Sequence, residues 1–346
     1  MIRKLLVGFV LVLVVCLAVY LRHHHKKTPL ETEYVGNRDA VVWNSSAEVR
    51  EQVATLGYGD RVDILDRFRE QVQIQAKGGL SGWVSQNDLI PADVWEKAQA
   101  LEAAAAKLPV QAQGQTRVLS NLHIEADRES PRLRQLNKDV PLDMFERQTV
   151  DVPVAAVPPA GPEPAHGDAE EGTAAPSTAG AKKKEDWWLV RAHLADQTTV
   201  AGWILGRFVS LDVPPPLPDY ASSGGFRITA WFELNRVADD AGNAKPQYLV
   251  VGIRGGEGQP CDFTLLRVFT WGRQAQRYET AFVDSNVCGK LPVQVTRAPA
   301  GGDTSFSFQD WSSGASEPRT YDMHQTAVRR VGRGAPAPAK RKRRHA

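Results

Sequence analysis

The sequence predicts a mainly β protein. Two small strand-rich units stand in tandem joined by a helix, an antiparallel β-sandwich or barrel follows, and one transmembrane helix leads the chain. Three observations carry that prediction. First, a pattern occurs twice: Leu56 is followed seven residues on by Asp63-Ile64-Leu65-Asp66-Arg67 and later by Gly82-Trp83-Val84. Leu136 is followed likewise by Asp143-Met144-Phe145-Glu146-Arg147 and later by Gly202-Trp203-Ile204. Second, short β-branched and aromatic runs recur past Gly225 between glycine-rich turns. Third, residues 5–21 (LLVGFVLVLVVCLAVYL) are an uncharged apolar run of 17.

Taken in order, the apolar run lies between Arg3-Lys4 and the basic residues Arg22, Lys26 and Lys27. As a helix rising ~1.5 Å per residue it spans about 26 Å, enough for a bilayer core. Ala18-Val19-Tyr20 ends in a bulky aromatic where a signal-peptide cleavage site needs a small residue, and Leu13-Val14-Val15 lacks the small residue that precedes a lipidated Cys16. Residues 1–27 are therefore expected to be an uncleaved signal anchor. It would place the chain at the inner membrane, single-pass, with its bulk on the periplasmic side. Nearly balanced Lys/Arg flanks leave the orientation open. His23-His24-His25 reads as a polar membrane flank rather than a metal site.

The first unit covers residues 34–90. Ala40-Val41-Val42-Trp43 is strand-like, and Gln71-Val72-Gln73-Ile74-Gln75 alternates as a half-buried strand does. Residues 91–109 follow: Val94, Ala98, Leu101, Ala105 and Leu108 fall at helical spacing between Pro91 and Pro109, which predicts a connecting helix packing one side on a neighbouring domain. The second unit covers residues 116–213. Its strand-like Leu142–Arg147 and Trp187–His193 are separated by an insert, residues 152–184, dense in Pro, Ala, Gly and charge; that composition predicts a disordered loop extruded from a hairpin. Pro214-Pro215-Pro216-Leu217-Pro218 is a stiff linker. Residues 225–331 hold successive strands from Arg227–Phe232 to Thr320–Met323, and residues 332–346 form a disordered basic tail ending in Lys340-Arg341-Lys342-Arg343-Arg344.

A net charge of +2, with 42% hydrophobic and 24% charged residues, is ordinary for globular protein, and no nucleic-acid partner is expected. Apart from Cys16, the cysteines are Cys261 and Cys288. A disulfide between them would fit an oxidising compartment; two unpaired thiols are the alternative.

The two copies resemble the bacterial SH3 family, SH3b. In the first, the matching residues are Leu56-Gly57-Tyr58-Gly59-Asp60, Val62, Ile64 and Gly82-Trp83-Val84. In the second they are Asn121-Leu122-His123-Ile124, Leu133, Leu136, Leu142, Met144, Trp187-Trp188-Leu189-Val190 and Gly202-Trp203-Ile204. The resemblance implies small SH3-like β-barrels whose closing Trp fills the interior, with the preceding Gly letting a loop approach. The first copy departs in having Val72 and Ile74 where the second has tryptophans, and the second replaces the turn glycine with Asn137-Lys138-Asp139. The last domain matches no pattern of residues we recognise.

Such domains often accompany cell-wall hydrolases, yet no catalytic constellation stands out. The histidines are scattered (His123, His193, His324), and neither HExxH nor CxxC occurs. Arg254-Gly255-Gly256-Glu257-Gly258 leads into Gln259-Pro260 and reads as a turn, not a phosphate loop. Asp239-Asp240 beside Gly242-Asn243 also reads as a turn rather than a cation site. Catalytic residues, metal and cofactors are expected to be absent. Trp187 and Trp188 are adjacent, so in a strand they point to opposite faces. One is expected to fill the barrel and the other to stay near the surface, free to stack on a sugar or peptide. Trp187, Trp188, Trp83 and Trp203 are thus the candidate binding residues.

The expected function is that of a non-enzymatic, membrane-anchored cell-envelope protein that binds peptidoglycan or envelope proteins. A protein-docking scaffold or accessory factor without wall binding is the alternative. An enzyme with its active site in the C-terminal domain is the third.

Overall fold

The computed structural model describes residues 28–36, 39–152, 183–215, 217–221, 225–297 and 303–332. The expected anchor at residues 1–27, residues 153–182 of the expected 152–184 insert and residues 333–346 of the expected 332–346 tail lie outside the described residues. The insert's described ends continue the hairpin, Val152 N–H donating to Lys183 O and Lys184 opening a strand. Among the described residues no helix is long and apolar enough to cross a membrane. The fold is mainly β, and its strand pairings are antiparallel throughout. The chain divides into two compact units: one runs up to Ala100 with Leu133–Gln135, the other comprises Leu101–Arg132 and everything from Leu136.

The first unit is built on β1 (Glu31–Val35), β2 (Ala40–Trp43), β3 (Gln52–Leu56), β4 (Arg61–Phe68), β5 (Gln71–Ala76), β6 (Ser81–Ser85) and β7 (Leu89–Pro91). They form one seven-stranded sheet in the order β3-β2-β6-β5-β4-β1-β7. The alternation of β5 does what it predicts: Val72 and Ile74 are fully buried, while the glutamines between them are half-buried. Val35, Val42, Val62, Ile64 and Val84 close on the same core. A register shift between Ile64 and Asp66 bends β4.

The predicted helix spans Ala92–Ala105. Its last turn, Leu101–Ala105, lies in the second unit, where Leu101, Ala105 and Leu108 just past the helix pack on Phe145, Leu189 and Ala201.

The second sheet comprises β8 (Ala112–Thr116), β9 (Ser120–His123), β10 (Arg132–Leu136), β11 (Pro141–Asp151), β12 (Lys184–His193), β13 (Thr199–Leu205) and β14 (Val209–Leu211). Its order is β10-β9-β13-β12-β11-β8-β14, which is the first sheet's order advanced by seven. The bulge recurs too, between Met144 and Glu146. The sequence repeat is therefore a repeat of topology.

The remaining strands form two four-stranded sheets. One holds β15 (Phe226–Ala238), β16 (Ala244–Arg254), β17 (Leu265–Gly272) and β18 (Arg277–Asp284). The other holds β19 (Gly289–Arg297), β20 (Thr304–Asp310), β21 (Glu317–His324) and β22 (Ala327–Arg330). An aromatic pair joins them, Phe282 of β18 meeting Tyr321 of β21 with ring centroids 5.6 Å apart, and Phe263 of the loop between β16 and β17 meets Phe308 of β20 at 4.8 Å. Residues Gln247–Ile253 of β16 are buried without interruption, because this strand is covered on both sides. Tyr248 and Val250 lie under Leu217 of the short helix Leu217–Ala221. Cys261 and Cys288 are joined as a disulfide across a sequence separation of 27, and Asp262 and Phe263 donate their N–H groups to Gly289 O beside it.

Candidate ligand cavity and the junction behind it

Trp187 and Trp188 stand on β12, one step apart, and alternation sends them to opposite faces. Trp188 pairs in register with Arg147 and Ile204. Trp187 packs outward on Ala126 and Leu205, with Val150, Trp203 and Phe208 around it. Both are buried, at 2% and 5% exposure, so neither is the free surface ring that was expected. The reason is that β12 is covered on both faces.

Trp83 and Trp203 also differ from expectation. Each is half-buried on the outer side of its strand, while Gly82 and Val84, and Gly202 and Ile204, turn inward. Two-residue periodicity forces this, since the glycine and the aliphatic residue two places on share a face. Gly82 is required by packing, not by an approaching loop: a Cβ there would come within 2.4 Å of Val42 Cγ1. The tryptophans sit at the seam of each sheet, where Trp83 pairs with Trp43 and Trp203 with His123.

Trp188 lines a cavity of about 340 Å³ within the second unit. Its apolar wall comes from Met144, Trp188, Val209, Phe226 and Ile228, and its polar contributors include Arg117, Ser210 and Arg227. Arg117 and Ser210 are exposed, so the cavity opens to solvent at their edge. Gly206 narrows the strand end there; a Cβ would sit 3.3 Å from both Asp186 and the Trp188 ring. A second, smaller cavity of about 220 Å³ lies against Trp187, bordered by Asp127, Arg128, Asp151 and Glu185.

Behind the larger cavity runs a buried ionic cluster. Arg147 Nη2 donates to Asp186 Oδ1 at 2.5 Å, while Nη1 donates to the carbonyls of Gln259 (3.1 Å) and Cys261 (3.0 Å) and to Asp262 Oδ1 at 3.3 Å. Asp186 also accepts the Gly258 N–H at 2.9 Å and Arg227 Nη2 at 3.2 Å. Asp262 accepts Lys290 Nζ at 3.3 Å and the Leu291 N–H at 2.9 Å. Arg147 and Asp186 are each 1% exposed as side chains. Burying charges is costly unless they are paired and hydrogen-bonded; here the charges are paired and both terminal nitrogens of Arg147 are bonded, while its Nε is buried without a partner. The cluster fastens the β11–β12 hairpin to the disulfide-bearing loop after β16. The glycine-rich Arg254–Gly258 stretch is part of that loop, and its Gly258 N–H serves Asp186.

Beside it, Glu185 receives Arg128 through both carboxylate oxygens and Arg207 Nη1 at 2.8 Å. The Arg128 hydrogen bonds, opposed by burial and aided by Arg207, hold its carboxyl below the usual range.

The histidines are not brought together. His123 Nδ1 lies 2.9 Å from Ser130 O, His193 Nε2 lies 2.7 Å from Asp143 Oδ2, and His324 Nδ1 lies 2.5 Å from Asp303 Oδ1. Among the described residues no group of three or more His, Cys, Asp or Glu side chains could hold a metal ion. Asp239 caps its turn, accepting the N–H groups of Ala241 and Asn243.

Sequence reasoning placed Trp188 among the candidates but missed Arg117, Phe226 and Arg227, which stand in other elements and carry no motif. One signal was available. Trp188 holds the register position that Val72 holds in the first repeat, opposite Arg147 as Val72 is opposite Arg67. That exchange marks where the copies diverge.

No family model and no curated protein matches the chain. Among solved structures, NlpC2 from Trichomonas vaginalis aligns at 10% identity over 55% of this chain, with a TM-score of 0.17. The chain spans about half the length of that protein, 52%. An NlpC/P60 family protein from Bacillus cereus ATCC 10987 aligns at 10% identity over 72% of this chain and 93% of its own, with a TM-score of 0.21. At those scores neither bears on fold or function.

Proposed function

We propose that this chain is a non-enzymatic cell-envelope protein held at the membrane by residues 5–21, whose two repeats are SH3b domains of SH3-like barrel form followed by a β-sandwich domain. It binds peptidoglycan, with an envelope protein as the alternative ligand. The observation that carries the binding reading is the open cavity at Trp188, where the titratable side chains in the lining are the guanidiniums of Arg117 and Arg227. Guanidinium stays protonated at any physiological pH, so it attracts an anion but cannot serve as a general base or nucleophile. An apolar pocket with a few fixed polar groups is the usual form of a ligand site. The matching strand order of the two sheets supports the tandem-domain reading. The Cys261–Cys288 bond supports an oxidising compartment such as the periplasm. The test is co-sedimentation of the detergent-solubilised full chain with purified sacculi. Retention that excess soluble wall fragments compete away is the expected outcome, and a chain left wholly in the supernatant rejects wall binding.

A further inference from the structure

We propose that the cavity beside Trp188 is a carboxylate-binding site, and that it takes a short peptide ending in a free carboxylate rather than a glycan strand. This rests on the binding reading above and names its ligand class. Three features argue for it.

The first is charge. Arg117 and Arg227 line the cavity and no acidic residue does. Arg227 gives one nitrogen to Asp186 at 3.2 Å, which fixes the side chain and leaves other N–H donors for a ligand. Arg117 stands at the exposed edge. Guanidinium and carboxylate match as planar, bidentate partners, and such charge-assisted hydrogen bonds are roughly twice as strong as neutral ones.

The second is the wall. Met144, Trp188, Phe226 and Ile228 offer little to hydroxyl groups. A sugar ring seated against that wall would bury the hydroxyls on its inner side without partners, at a cost of about 1–3 kcal/mol each, whereas small aliphatic side chains and methyl groups gain from the same surface. Stacking on a glycan needs an open ring face, and Trp187 and Trp188 are 2% and 5% exposed.

The third is shape. The volume of about 340 Å³ suits a small ligand rather than a polymer. A shallower depression shares Ser210, Leu211 and Val213 with the cavity and continues to Trp231, whose Nε1 is held by Asp212 O at 2.7 Å. It gives the rest of a peptide a path out along the surface.

The experiment is a calorimetric titration of the full chain in detergent micelles with N-acetyl-alanyl-alanine, its C-terminal amide, and chitotetraose. The free acid should bind, and the amide should bind at least about tenfold more weakly. Arg117→Glu should lose the acid. Ser210→Trp, which fills the cavity from an exposed position, should lose it as well, with thermal unfolding of both variants unchanged. Equal binding of acid and amide, or chitotetraose binding that survives both variants, overturns the proposal. Retention on sacculi without binding of the acid sinks the carboxylate site and leaves wall binding standing. Binding of the acid without retention on sacculi does the reverse.

Discussion

Arg67 and Arg147 hold the same place in the two repeats, three residues past the Ile64 and Met144 positions where each bulge begins. Arg67 turns to its own sheet and pairs with Glu31 and Glu33, with a third of its side chain exposed at 32%. Arg147 is 1% exposed and joins Asp186 to Asp262. Removing one partner of a buried cluster leaves uncompensated charge, at a cost of about 3–5 kcal/mol, whereas an exposed pair contributes about 1 kcal/mol or less. Arg147 serves two buried carboxylates, Asp186 and Asp262, and Arg67 only one, Glu33, because Glu31 is half exposed, so Arg147→Ala should shift the urea midpoint more than Arg67→Ala. Equal shifts would mean that the cluster at Asp186 is not what fastens the hairpin. Glu185 gives a pH test. Its folded carboxyl lies below the unfolded value of about 4.3, so its stabilisation is complete above that value and is lost as pH falls through the folded one. Between about pH 5 and pH 3 the wild-type urea midpoint should fall more steeply than that of Glu185→Gln. Parallel declines would remove Glu185 from the account.

At the scale of elements, the glycine of each Gly-Trp pair is the sharpest point. A methyl group at Gly82 meets Val42 Cγ1 at 2.4 Å and Trp43 O at 2.7 Å. Gly82→Ala should cost about 1–3 kcal/mol through overpacking, measured by thermal unfolding, and an unchanged midpoint would show that β2 can yield. Strands such as β5 were legible in the sequence because alternation is a local signal, and so was the helix Ala92–Ala105, bracketed by prolines. The facing of Trp83, Trp187, Trp188 and Trp203 was not legible. Periodicity fixes that Trp187 and Trp188 oppose each other, but which face is covered depends on elements far away in sequence, here Phe226 and Ile228 on one side and Ala126 and Phe208 on the other. β22 was missed because Ala327–Arg330 carries two arginines and no apolar run. The cavity was half legible: Trp188 stood out, whereas Arg117 and Arg227 are 110 positions apart and meet only through the fold.

Across the second unit, the disulfide and the ionic cluster share one loop. Cys261 supplies both a sulfur to Cys288 and a carbonyl to Arg147, and its neighbour Asp262 is bound from three directions, by Arg147, Lys290 and the Leu291 N–H. A cross-link over 27 residues restricts the unfolded chain by about 3–4 kcal/mol. Its removal should act beyond the C-terminal sheets, because a loosened loop withdraws the acceptors of Arg147 and so frees β11 and β12. The double variant Cys261→Ser/Cys288→Ser should lose about 3 kcal/mol in urea, and amide exchange should quicken in β11 and β12 as well as in β16 and β19. Faster exchange confined to the C-terminal sheets would show that the repeat keeps its fold without the loop. In that event Asp186 alone would suffice to hold Arg147 in place. The expected spread reflects how the unit is built: the charges that join repeat to sheet are desolvated, so they hold only while the backbone that satisfies them is itself held.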